Sequence, residues 1–151
     1  MRPAAAALRA VAGALFTASG FLKLIQPHQN FQSVIETYGV ISGQPAAWAA
    51  RAFPWAEFLL GIFLALGLWT RSAARGLWLL VSVFLVALVS ALWRRLPIGD
   101  CGCFGEAVRV GPRAMALIDV LLWLLLAWMV LRPKDFEGWG LDRLFRPVEW
   151  R

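Results

Sequence analysis

Residues 74–93 read ARGLWLLVSVFLVALVSALW, a run in which, beyond Arg75, only Ser82 and Ser90 interrupt the apolar side chains. As a helix this stretch rises about 30 Å, the thickness of a bilayer's hydrocarbon layer. It is read as a transmembrane helix, and that reading decides the fold class. Ser82 and Ser90 lie eight positions apart, near one face. Arg94, Arg95 and Pro97 stop the run, and Arg71 and Arg75 introduce it.

Three further apolar runs flank this one. Upstream, a span is expected from about Ala52 to Trp69, with Pro54 in its first turn or making a kink, and with Glu57 set inside apolar sequence. Ala4 to Ile25, apolar except for Arg9 and Lys23, is the first span. A cleaved signal peptide is the rival there, but the run continues through Phe21, Leu22, Leu24 and Ile25, with Lys23 placed to snorkel, which favours a retained helix. Gly13, Thr17 and Gly20 fall on one face of it, as close helix contact requires. Downstream, residues 113–131 form the fourth span and contain Asp119.

Pro27 to Arg51 is too polar to cross, yet Phe31, Val34, Ile35 and Tyr38 recur at helical spacing between Asn30, a candidate cap, and Gly39, a candidate stop. A short interfacial helix fits it. The expected architecture is thus all-α: an integral-membrane four-helix bundle with spans at about 4–25, 52–69, 74–93 and 113–131. A cysteine loop occupies 94–112, and an interfacial tail occupies 132–151.

Composition agrees with a membrane protein. The 151 residues are 60% hydrophobic, with nine Trp, ten Phe and a mean hydropathy of +0.66. The net charge of +6 does not point to nucleic acid, because the fifteen basic residues sit at the ends of apolar runs instead of forming a stripe. Nine of them fall with the termini and the loop between spans two and three, and six on the other side. That bias sets the termini in the cytoplasm and the cysteine loop outside a bacterial inner membrane, where disulfides persist. Trp48, Trp55, Trp69, Trp78, Trp93, Trp139 and Trp150 lie near span boundaries, as interfacial anchors do.

Both cysteines of the chain lie in Asp100-Cys101-Gly102-Cys103-Phe104-Gly105. A disulfide between residues this close closes a small strained ring, and strained disulfides are labile and oxidising, which suits exchange chemistry. Gly102 relieves crowding between the thiols, and Gly105 allows a sharp turn after Phe104. Arg94, Arg95 and Arg109 are cations that favour thiolate, while Asp100 opposes it. A passive thiol pair and a soft-metal site stay open as alternatives. The metal reading has few ligands, since the single histidine, His28, stands in another loop, and no metal is expected.

Lys23, Glu57 and Asp119 are ionisable groups within spans, where such groups face a bundle interior and pair. Glu57 and Asp119 each lie on the order of 8 Å below the outer ends of their helices by helical rise. Lys23 is near the outer end of the first. A carboxylate paired with Lys23 beneath the cysteine loop is the simplest arrangement. It serves either as a structural ion pair or as a proton-handling site for thiol-quinone or thiol-disulfide exchange. Trp55, two residues before Glu57, is a candidate pocket wall. A quinone, resting on Glu57, Asp119 and Trp55, is the cofactor this reading allows.

Taken together, Ser19-Gly20 with Lys23, Pro54-Trp55 with Glu57 and Gly61, Thr70-Arg71, the cysteine loop and Asp119 resemble the MauE branch of the DoxX-like membrane proteins over about residues 8 to 131. The resemblance implies a four-helix membrane protein that works with a thioredoxin-fold partner outside the cytoplasm. It also implies support for maturation of an amine dehydrogenase whose small subunit needs many disulfides. The chain departs from quinone-linked disulfide-generating membrane proteins in holding one cysteine pair, so a full electron relay would draw its second pair from a partner. A non-catalytic scaffold for such a partner is the reading from a different class.

Overall fold

In a computed structural model that describes residues 3–96 and 112–136, every regular element is helical. Helix α1 runs Pro3–Leu24, α2 His28–Thr37, α3 Gln44–Leu66, α4 Thr70–Trp93, α5 Pro112–Leu131 and α6 Pro133–Phe136. Three of these, α1, α3 and α4, are long and apolar enough to cross a membrane, and α5 carries a shorter apolar stretch, Ala116–Leu131. Among the described residues there is no strand. The cysteine loop and the tail expected beyond residue 136 lie outside the described residues.

Two helix starts differ from the sequence expectation. Helix α3 begins at Gln44, not near Ala52, because Gly43 turns the chain at φ +66° and Pro45 presets the first turn of an alanine-rich segment with high helix propensity. Pro54 therefore stands mid-helix, where its ring removes one backbone donor. Helix α2 begins at His28, so Asn30 lies inside it and takes a bond from Ser33 Oγ on its carbonyl instead of capping. Gly39, at φ +64°, ends α2 as its position suggests.

Helix α1 packs along α3, and α5 along α4; α3 and α4, joined by a tight turn at Gly67, bring the two pairs together. The α1–α3 seam is built from small residues. A Cβ on Gly61 would stand 2.6 Å from the backbone nitrogen of Thr17, and one on Gly20 2.8 Å from the Pro54 carbonyl oxygen, so the backbones touch there. The main core joins α1, α3, α4 and α5 through Ala12, Phe16, Leu64, Leu77, Leu126 and Met129, with Phe136 of α6 closing one end. At the opposite end α2 lays Phe31 and Ile35 on Ala46 and Ala50 of α3.

The outer surface is apolar in stripes. On α5, Leu117, Leu121, Leu124, Trp128 and Leu131 recur at steps of three and four and are all exposed; on α4 the same holds for Leu79, Val83, Val86, Val89 and Trp93. Such stripes turned away from a core are what a lipid-facing surface needs.

Candidate functional site

Four residues on α1 bring Ser19 and Lys23 to one face, the face that meets α3 at Glu57. The Lys23 ammonium donates to Glu57 Oε2 at 2.6 Å, and Ser19 Oγ donates to the same oxygen at 3.4 Å. Both charged side chains are buried, at 2% and 6% relative exposure. A pair removed from water survives only with good geometry and further partners. Here the further partners are aromatic: the ammonium lies 5.1 Å from the ring centroid of Phe31 and 5.3 Å from that of Phe84. Helix α2 supplies the first ring and α4 the second, so four elements converge on one lysine head.

Asp119 of α5 is buried within Coulombic reach of both Lys23 and Glu57. Its Oδ2 has no hydrogen-bond partner among the described residues. The structure thus gathers Lys23, Glu57 and Asp119 at one end of the helix bundle, with the Lys23–Glu57 contact as the direct pair. Trp55 does not join them. Two residues along a helix turn the side chain by about 200°, and Trp55 is 55% exposed on the outer surface with its ring against Phe58. A pocket wall formed by Trp55 beside Glu57 is therefore corrected to an outward-facing aromatic.

Arg94 donates to the Tyr38 carbonyl, to the Gly39 carbonyl at 3.4 Å and to Ser90 Oγ at 3.1 Å, so its guanidinium clamps the end of α2 to the end of α4. His28 sits 3.2 Å from Arg51, at the start of α2. Cys101, Gly102, Cys103 and Phe104 fall outside the described residues. Among the described residues no three His, Cys, Asp or Glu side chains group as a metal site would require.

Sequence reasoning missed Phe31 and Phe84 as partners of Lys23 and gave Ser19 no role of its own. The Ser19–Lys23 spacing was a usable signal; the two rings lie on helices whose docking no local pattern reveals. It also missed Arg9, counted only as a terminal charge. Arg9 is 3% exposed and donates to the Phe136 carbonyl at 2.8 Å, tying α6 to the first part of α1.

Long apolar helices with outward apolar stripes around a buried ion pair define an all-helical membrane protein. A family model described as methylamine utilisation protein MauE matches residues 1–132, and the chain belongs to that family. Membership implies a role in methylamine utilisation. No curated protein and no solved structure matches it.

Proposed function

We propose that this protein is a four-span membrane thiol-disulfide redox component. Its Cys101/Cys103 pair, outside the cytoplasm, cycles between dithiol and disulfide by exchange with a thioredoxin-fold partner, and so supports disulfide formation in a client used in methylamine breakdown. The observation that carries the reading is the Cys101-Gly102-Cys103 pair in the connection between α4 and α5 of a MauE-family chain. In each exchange one thiolate attacks a disulfide sulfur, a mixed disulfide forms, and the second thiol resolves it with release of the other sulfur as thiolate. Two electrons and two protons pass between the pairs, and no outside oxidant enters the step.

Two features support α5 as the fourth span. Its exposed stripe matches that of α4, and the Arg9–Phe136 bond sets its far end beside the start of α1, as a return crossing requires. The same reading takes the chain as an all-helical bacterial inner-membrane protein whose termini, by the basic-residue bias of the sequence, are cytoplasmic. The electron acceptor in this reading is a quinone, on the support of Glu57 and Asp119. Reduced protein that leaves a ubiquinone analogue unbleached removes it.

The test is a Cys101→Ser, Cys103→Ser double variant expressed at wild-type level in a host whose growth on methylamine needs this protein. Loss of disulfide-matured client is expected. Full maturation would replace the redox reading by a scaffold that holds a redox partner without chemistry.

A further inference from the structure

Among the described residues, the charges buried around Lys23 do not balance. Lys23 brings one positive charge, and Glu57 and Asp119 bring two negative ones if both are ionised. The other described elements packed around them add nothing to offset the excess. Helix α4 has no ionisable side chain between Arg75 and Arg94 and offers Phe84 and serine hydroxyls. Helix α2 turns Phe31 and Ile35 inward, while its Glu36 bonds to Gln32 and the Gly43 amide, and His28 faces Arg51. Tyr38, buried between α4 and α5, is uncharged in its ordinary state.

An unpaired buried charge is strongly disfavoured, and the imbalance has a definite location. Glu57 takes both the Lys23 ammonium and the Ser19 hydroxyl on one oxygen, whereas Asp119 Oδ2, on a side chain more than nine-tenths buried, has no donor among the described residues. The oxygen left over is thus in the same cluster as the excess charge.

We propose that Lys23, Glu57 and Asp119 form a proton-binding site that holds one exchangeable proton, seated on Asp119. The cluster is then neutral as a whole: an ammonium, a carboxylate and a carboxylic acid. Lys23 is the next-to-last residue of α1, so the site lies at a helix end. The site does not depend on the cysteines.

Charge neutrality fixes a proton count for each variant, which a merely structural ion pair would not do. Infrared spectra of the protein in lipid at neutral pH, with and without deuterium exchange, read protonated carboxyls directly through their carbonyl band. One such band that shifts in deuterium is expected in the wild type. Asp119→Asn abolishes it, and so does Glu57→Gln, because the remaining carboxylate then balances Lys23. Lys23→Met doubles the band. A Cys101→Ser, Cys103→Ser protein keeps the wild-type band even if it fails in maturation, which separates this inference from the redox reading. A wild-type spectrum with no protonated-carboxyl band overturns the proposal without any variant, as does a band that survives Asp119→Asn.

Discussion

Glu36 shows how a single carboxylate responds to its neighbours outside the membrane spans. The Gln32 side-chain amide and the Gly43 backbone N–H both donate to it, and these bonds hold its carboxyl below the ordinary value of 4.5. The sign follows from linkage. A depressed carboxyl stabilises the fold fully above its unfolded pKa, and that contribution is lost as pH falls through the lower folded value. The Glu36 side-chain carbon, followed by NMR in detergent, is expected to titrate below 4.5. Gln32→Ala, which removes the larger cause, moves the midpoint back toward that value. Arg94 works at the same scale by a different means, through a fan of donors to fixed carbonyls. Arg94→Gln leaves the Tyr38 and Gly39 carbonyls without that fan. Faster amide exchange across residues 36–43 is the expected result, with exchange at Leu64 unchanged.

At the scale of elements the α1–α3 seam decides whether the ion pair can form at all. Lys23 meets Glu57 only because Gly13, Gly20 and Gly61 let two backbones approach until their own atoms are in contact. A side chain at Gly61 meets the Thr17 backbone nitrogen at 2.6 Å and the Gly13 carbonyl oxygen at 3.0 Å, neither of which can move without α1. Overpacking of this kind costs roughly 1–3 kcal/mol. Gly61→Leu is therefore expected to lower the thermal midpoint in detergent, while Leu59→Ala, on the exposed face of the same helix, leaves it near wild type. Equal midpoints for the two would sink the seam argument. This scale also separates what could be read in the sequence from what could not. Apolar runs gave the long helices, and the spacing of Gly13, Thr17 and Gly20 gave the contact face, because both are local patterns. The start of α3 was not legible, since Trp48 and Arg51 made an alanine-rich helical segment look like a polar connection. Burial of Lys23 and Glu57 followed from the cost of charge in lipid. The aromatic cage around Lys23 and the outward turn of Trp55 depend on helix docking and rotation, which residue spacing alone leaves open.

For the molecule as a whole, the ends of the helices fix which features share a side. Helices α1 and α3 run in opposite directions, so the Gly67–Thr70 turn lies at the end where α1 begins, and α4 carries the chain back toward Lys23 and Glu57. The Arg9–Phe136 bond returns the end of α5 to the starting side. Arg71 and Arg75 lie beside that turn and Arg132 follows α5, while Lys23, Arg51, Arg94 and Arg95 lie toward the other end, so the orientation we propose rests on the sequence count of nine basic residues against six. By the preference of Lys and Arg for the cytoplasmic side, the orientation we propose has the end with that turn facing inward and the residue 94–112 connection facing outward. A membrane-impermeant maleimide tests the assignment in intact cells. After mild reduction it is expected to label Cys101 or Cys103 in the wild type. It is expected to miss Ser72→Cys, an exposed position beside the turn, in a background with both native cysteines replaced by serine, until the cells are lysed. Labelling of Ser72→Cys in intact cells, with the native pair silent, would invert the molecule and put the thiols in a reducing compartment, where a persistent disulfide has no place.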